Sequence, residues 1–581
     1  MAVHFGSNWS LLATWWRVCL FMGIVSIPLT YAAILLYRRD RPKRGLRALP
    51  QPPRNLFGGH EGKFDSLAPF IQWTDWAHQL GPIYQIKVGL ERIVVVSDPR
   101  LAKELFEKRG SRYSGRLSPY IGSEILSQNR RVIFESNGPR HTAYRRQIHA
   151  LLSISNTQIN QQIQELESRQ ALHETMMFAS KLRDLRRGAT SSGLKGAPQD
   201  AYEDVRTILR RYALSVMMTL SFSHRVRNFE DPLVTTVFHI MEHITTFSGP
   251  GANLVDAIPF VKHLPSFVKL WEKPFLAEVE RQWAFLNDLL RRTENQVRMG
   301  VSNSGLIATL IKQRQGMSQA EQDAQYLDDK SIGYQAMTLM EAGAETTSIT
   351  LYNFVLLMAT NPRVMYKAQQ LLDDVVPSSR LPSFEDLASV PYINQIAKEV
   401  IRFRPALPVG GSHKTVTDDE VDGYYIPAGS ALMGNAWAMQ HDPAHYANPE
   451  IFEPERFEGI KHKSTFESSL EKEAMDRDHY VFGWGRRICP GMHLAEASVL
   501  LVAARLLWAF DIVPDCDDKG EPLPVTDDVV NAYEHRVIAS PKTFPVNFRL
   551  RSEERGKVIE DSFNQALTVW NSMCLDLSAG V

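Results

Sequence analysis

An uncharged run near the N-terminus, VCLFMGIVSIPLTYAAILLY at residues 18–37, limits this chain more than any other feature. A bilayer-spanning helix takes about 20 apolar residues, and the run reaches that length. Trp15 and Trp16 before it and Tyr37 at its end suit the two membrane interfaces. Pro28 would bend such a span, which lipid tolerates. Arg38, Arg39, Arg41, Lys43, Arg44 and Arg47 follow, against Arg17 ahead, so the positive-inside rule leaves the bulk of the chain cytosolic. A cleaved signal peptide would carry a shorter apolar region, roughly 7–15 residues, and no basic block behind it. A retained anchor is therefore expected at 1–38, then a basic and proline-rich hinge at 39–55, one large domain at 56–550 and a tail at 551–581. LPQPPRN, residues 49–55, reads as a stiff spacer holding the domain off the membrane. The sequon at Asn8 lies on the lumenal side in this topology, too near the span for much occupancy.

Beyond the run, the 581 residues are 44% apolar and 22% charged, enough to bury a sizeable core. Lys+Arg and Asp+Glu both number 65, so nothing global argues for nucleic acid. LGPIYQIKVGLERIVVVSDP, residues 80–99, reads as a β-hairpin around a glycine turn, and residues 100–109 look helical. From there to about residue 375 helical patterns dominate, interrupted by a loop at GATSSGLKGAP, residues 188–198. Short strands return at TVTDDEVDGYYIPAGSALM. The fold class expected is mainly α with a minor β-sheet region, undivided by any linker.

Cys19, Cys489, Cys516 and Cys574 fit neither a zinc module nor a disulfide framework. Cys489 stands apart, in FGWGRRICPG. Pro490 suits the first turn of a helix, and GMHLAEASVLLVAARLLWAF continues it as an almost wholly apolar, hence buried, one. A thiol at a helix N-terminus has its pKa lowered toward thiolate. Gly483, Gly485 and Gly491 let the backbone bend and approach something flat and large, and Arg487 can hold an anion nearby. Three readings compete: a nucleophile with His493 as base but no orienting partner, a haem ligand, and an inert buried cysteine.

The pattern F-x-x-G-x-R-x-C-x-G, filled by Phe482, Gly485, Arg487, Cys489 and Gly491, would arise by chance less than about once in a thousand such chains. It resembles the cytochrome P-450 monooxygenases, a haem-thiolate family, and the resemblance covers roughly residues 49–550. It implies haem b with Cys489 as axial thiolate on the iron, Arg487 on a propionate and Phe482 packed near the sulfur. Residue 56–550 then becomes the haem-thiolate catalytic domain. KEVIRFRP followed by FEPERF matches the family's structural ion-pair triad, here Glu399, Arg402 and Arg456.

MEAGAETTS, residues 340–348, interrupts an otherwise apolar helical stretch with a glycine and adjacent threonines, and a local disruption of the helix is expected there. By resemblance this segment faces the iron: Gly343 leaves room for dioxygen, Thr346 supplies a hydroxyl, and Glu345 is the acid linked to proton delivery. In GPRHTAYRRQ, Arg145 would reach a propionate, while His141 replaces the family's tryptophan and so inherits no role. His413 occupies the place of a further propionate donor, with a solvated loop histidine as the competing reading.

The reaction implied is insertion of one oxygen atom of O2 into a small hydrophobic substrate. No GxGxxG fingerprint or spare length for flavin domains is present, so electrons are expected from a separate NADPH-dependent flavoprotein reductase. The pattern around WAMQHDPAHYANPEIFEPERF looks like microsomal enzymes of filamentous-fungal secondary metabolism, implying an endoplasmic-reticulum membrane protein acting on a polyketide, terpenoid or aromatic compound. Two alternatives stand beside it: a haem-thiolate isomerase or dehydratase, and a non-enzymatic haem-binding membrane protein.

Overall fold

A computed structural model describes residues 42–53, 59–60, 68–88, 91–152, 157–191, 198–248, 253–257, 259–300, 305–460, 462, 464–535 and 538–573. The expected anchor at 1–38 and the Asn8 sequon lie outside the described residues. Two layers organise the rest: a large helical body and a smaller sheet region beside it.

Helix α1 (Pro69–Leu80) precedes the expected hairpin, β2 (Ile83–Val88) antiparallel to β3 (Glu91–Val96). Ile83, Tyr84 and Ile86 of β2 and Ile93, Val94, Val95 and Val96 of β3 are buried, as strands covered on both faces require. β3 pairs in parallel with β7 (Ala431–Gly434), which pairs antiparallel with β4 (His413–Lys414), giving one four-stranded sheet. A second sheet joins β1 (Arg47–Ala48), β6 (Tyr424–Ile426) and β5 (Asp419–Val421).

The β1 pairing corrects the spacer expectation for 49–55. The Arg47 N–H donates to the Gly423 carbonyl at 2.9 Å, the Gln85 N–H donates to the Pro50 carbonyl at 2.8 Å, and Leu49 is buried. Extended backbone that can join a sheet edge satisfies its hydrogen bonds there, so this part of the stretch lies against the domain.

The helical body is built on α2 (Pro139–Leu152), α3 (Thr157–Ser191), α4 (Glu203–Phe222), α5 (Pro232–Ser248), α6 (Lys273–Arg298), α7 (Asp329–Thr360), α8 (Pro391–Phe403), α9 (Met492–Ala509) and α10 (Glu553–Ser572). α3 runs to Ser191, into the stretch expected as a loop, and residues 192–197 lie outside the described ones. α7 starts at Asp328, whose carboxylate accepts the Ser331 N–H at 3.1 Å, an N-cap that fixes where this long buried helix begins. α9 is apolar all round and buried in the core, as its sequence requires.

Two two-stranded sheets close the far side: β8 (Phe510–Pro514) with β11 (Val546–Leu550), and β9 (Tyr533–His535) with β10 (Ala539–Pro541). The stretch expected as a tail is part of this body. α10 buries Ile559, Ala566 and Trp570, and Arg225 lies over the Trp570 ring at 4.6 Å. At roughly 1.5–3 kcal/mol per buried large apolar side chain, such a helix cannot come away cheaply.

Candidate haem-thiolate site

The thiol loop is shaped by close backbone approach. Its Cys489 N–H donates to the Phe482 carbonyl at 2.8 Å, folding the segment back on itself. Gly483 and Gly485 both hold φ in the left-handed region, at 77° and 52°. At Gly485 a Cβ would also sit 2.5 Å from the Phe106 carbonyl oxygen. The loop therefore leans directly on a π-helical turn, Lys103–Lys108, and no larger residue fits at Gly485. A Cβ at Gly491 would meet only ordinary contacts, 3.8 Å to Leu152 and 4.0 Å to the Cys489 sulfur. The Phe482 ring stands edge-on to His479 at 5.1 Å.

Two sequence expectations for the thiol are corrected. α9 begins at Met492 with Gly491 as its cap, two residues later than a start at Pro490. Burial pushes the Cys489 thiol up, against the lowering effect of the Gly491 N–H and the Arg145 charge. Burial outweighs the helix terminus here, so a stable thiolate needs a further positive charge, such as a metal ion.

Positive charge gathers around the thiol. Arg145 projects from α2, and Arg487 from the thiol loop donates from Nε to the Ser114 carbonyl at 3.0 Å and from its terminal nitrogen to the Glu135 carbonyl at 2.7 Å. Arg116, which no sequence pattern marked, donates to the Ser412 carbonyl. Among the described residues none of these three arginines has a carboxylate within ion-pair distance. Each is half-buried by area, yet protein surrounds it closely enough that burial is the first cause of its altered titration. Burial, then Arg487 and Arg145, push Arg116 down to about 9; burial, then Arg145, push Arg487 down to about 10. Arginine keeps its charge in proteins, so these shifts mark cations that are first desolvated and then mutually repelled, a setting that calls for anions.

Two histidines border the cluster. His413, on β4, is buried, its Nδ1 donating to the Tyr113 carbonyl at 2.8 Å and its ring stacked on Phe106 at 4.3 Å. Burial and then Arg116 push it down to about 3, so it is neutral and not the solvated loop residue of the competing reading. His141, one turn before Arg145 on α2, is buried and pushed down to about 4 by burial and then Arg487.

The segment Ala342–Thr347 sits in α7 without interrupting it: the helix is continuous from Asp329 to Thr360, so the expected disruption is corrected. What changes is exposure. Residues 331–340 are all buried, then Ala342 is exposed and Gly343, Glu345 and Thr346 are half-buried. The Thr346 hydroxyl donates back to the Ala342 carbonyl at 2.8 Å, so its polar group is satisfied within the helix.

At Gly343 a Cβ would lie 2.5 Å from the Met217 sulfur on α4, so the missing side chain lets that helix pack close. The Glu345 carboxylate pairs with Arg210 of α4 at 3.1 Å, a partner the sequence gave no means of finding. Among the described residues no hydrogen bond or ion pair joins Thr346 or Glu345 to Cys489.

Glu399 and Arg402, one turn apart on α8, are fully buried and bidentate at 2.7 and 2.9 Å. Arg456 Nε donates to the same carboxylate at 3.0 Å, as does the Glu453 N–H at 2.8 Å. Arg402 also donates to the Gln440 carbonyl, and the Gln440 side chain accepts the Tyr480 N–H at 3.1 Å. The triad thereby reaches the thiol loop, because the Gly483 N–H donates to the Tyr480 carbonyl.

Comparison with known proteins agrees with this geometry. The cytochrome P450 family model matches residues 50–535. The chain is 33% identical over 570 residues to cytochrome P450 monooxygenase 231 of Postia placenta, covering 95% of this chain and 98% of that one. It is 29% identical to cytochrome P450 monooxygenase yanC of Aspergillus niger, over 89% and 92% of the two chains. A zebra fish cytochrome P450 structure with progesterone superposes with a TM-score of 0.63 at 23% identity, over 83% of this chain and 99% of that one, which speaks for the fold. The chain belongs to the cytochrome P450 family and is a P450 monooxygenase. The family implies a haem-thiolate cofactor, and the residues fit it: one thiol for the iron, and three arginines without acids for the two propionates.

Proposed function

We propose that this P450 inserts one oxygen atom of O2 into a small hydrophobic substrate, by hydroxylation or a related oxidation, in a fungal secondary-metabolite pathway. The observation that carries the reading is the Thr346 hydroxyl anchored to the Ala342 carbonyl, on the half-buried stretch of α7. The haem supplies O2 activation and, through a Cys489 thiolate, the electron density that favours O–O cleavage. Arg116, Arg145 and Arg487 hold the propionates and are in turn relieved of their mutual repulsion. Neutral His413 spends its single N–H on the Tyr113 carbonyl and presents only the Nε2 lone pair, so it borders these groups without donating to them.

Thr346 holds a proton at Oγ1 whose direction is set by the helix carbonyl. Glu345 takes up or releases protons next to it, with Arg210 holding the carboxylate in place between transfers. Electrons come from an NADPH-dependent flavoprotein reductase, since this chain carries no nucleotide fingerprint. The enzyme is anchored in the endoplasmic-reticulum membrane by residues 18–37, with its catalytic domain cytosolic. Phe267 (77% exposed), Val268 and Leu270 form an apolar patch between α5 and α6 that suits contact with lipid and entry of an apolar substrate. The relatives' names, among them P450 monooxygenase verL of Clonostachys rogersoniana, support the fungal setting.

Replacing Thr346 by Ala tests the reading. Substrate binding and electron uptake should stay nearly normal while the ratio of product formed to NADPH consumed falls about tenfold and peroxide rises. An unchanged ratio with weaker substrate binding would make Thr346 a pocket wall and sink the proton-delivery role.

A further inference from the structure

Away from the thiol, α5 and α6 bring two histidines and a glutamate together. His239 and His243 lie one turn apart on α5, and Glu278 reaches them from α6; one ligand atom from each lies within 4.8 Å of the others. We propose that His239, His243 and Glu278 form a binding site for a divalent transition metal, zinc by preference, that clips α5 to α6.

Each donor can present a lone pair to a metal. The His243 Nδ1 donates to the His239 carbonyl at 3.1 Å, which fixes the tautomer and leaves the Nε2 lone pair for an ion. The His239 Nε2 lies 2.7 Å from the Arg281 guanidinium and 3.2 Å from the Glu278 carboxylate; the tautomer that accepts from Arg281 is the one that ligates an ion. Glu278 is buried, and its other oxygen accepts from Gln282 at 3.3 Å, which orients the carboxylate. A tetrahedral zinc ion spaces its donors about 3.3 Å apart. His239 Nε2 and Glu278 Oε2 are 3.2 Å apart, at that spacing without rearrangement. Two imidazoles and one carboxylate suit zinc, with water in the fourth position.

Arg281 shows what the site demands. One of its terminal nitrogens donates both to His239 Nε2 at 2.7 Å and to Glu278 Oε2 at 3.0 Å, placing a positive charge between the two donors. Its side chain is 58% exposed, on the same helix as Glu278, and free to swing into solvent. The guanidinium is a cation that a metal ion displaces. Because α5 and α6 flank the exposed Phe267 patch, an ion joining them restrains the two helices through which an apolar substrate would pass.

The test is a zinc titration of the purified haem-loaded chain against a chromophoric chelator, with haem content as the check of folding. Wild type should bind one ion tightly and gain thermal stability from it. His243→Gln should weaken that site by at least the roughly 10–100-fold that losing a supporting partner costs at metal centres, and abolish the stabilisation. Arg281→Gln should tighten it about two- to fivefold, the scale of an exposed ion pair. Equal affinity in wild type and His243→Gln would place the zinc on other histidines and overturn the proposal. Weaker binding by Arg281→Gln would make the arginine part of a salt-bridge network instead of a stand-in cation, and would overturn it as well. If His243→Gln loses haem, His239→Gln answers the same question from the other ligand.

Discussion

Two arginine clusters in this protein differ in what completes them. Around Glu399, two guanidiniums share one carboxylate, and backbone carbonyls of Gln440, Ala447 and Ile451 take their remaining N–H groups. Around Cys489, Arg116 and Arg487 donate to carbonyl oxygens and Arg145 adds a third charge beside them, with no carboxylate in ion-pair contact among the described residues. Buried charge is costly unless paired. The first cluster is complete in the polypeptide and holds the fold behind the thiol loop. The second is incomplete without an anionic ligand, which is how a protein stores affinity for one.

The comparison breaks first at Glu399. Glu399→Gln leaves Arg402 buried without a counter-charge and Arg456 with only Glu453 at 3.6 Å, and breaking a buried pair costs about 3–5 kcal/mol. The urea midpoint of the haem-loaded protein should fall steeply, with poor haem retention. A midpoint close to wild type would mean that the triad is dispensable.

A smaller effect is expected at Glu496, a buried carboxylate with no cation in salt-bridge contact among the described residues, which accepts from the Thr465 N–H at 2.9 Å and from its hydroxyl. Burial pushes it up to about 7. Its folded pKa lies above its unfolded one, so its contribution to stability is fully present below about pH 4.5 and is lost as pH rises through 7. The loss is up to about 3 kcal/mol. Glu496→Gln should therefore match wild type near pH 5 and exceed it near pH 8 in thermal unfolding. An equal gap at both pH values would show that Glu496 ionises freely in the fold.

The smallest effect on the polypeptide, and the sharpest for the comparison, is Arg116→Gln. Removing one of three mutually repelling cations should leave helical content and urea midpoint within about 0.5 kcal/mol. Haem release to an acceptor protein should nonetheless quicken about tenfold, since a charge-assisted hydrogen bond contributes about 1.5–3 kcal/mol. Destabilisation on the scale of Glu399→Gln would erase the distinction between the clusters.

Legibility in the sequence followed the range of the interaction. The hairpin over Ile83–Val96 and the Glu399–Arg402 pair were readable because their partners are near in the chain or set by a fixed spacing. α7 keeps its form through AGAETT because the buried apolar stretches on both sides pack it into the core, which outweighs the weak propensity of these residues. The approach of Gly343 to Met217 is out of local reach, because it joins residues more than a hundred apart in the chain, which no local pattern records. Arg116 and Arg210 were missed likewise, one in an unremarkable loop and the other on a helix face, their meaning given only by what the fold brings beside them. The hinge and tail were drawn too loosely because polar composition hides the few apolar residues, Leu49, Ile559 and Trp570, that dock them.

All of this rests on a thiolate at Cys489, and the ferrous carbonyl spectrum of Cys489→Ser tests it most directly. Serine offers a hard oxygen that donates much less charge to iron than sulfur does. The account predicts that the variant, still folded by circular dichroism, loses the red-shifted Soret band of the wild-type carbonyl complex together with all oxidation. A variant that kept that band would show that some other residue ligates the iron, and the arginines gathered around Cys489 would have to be explained anew.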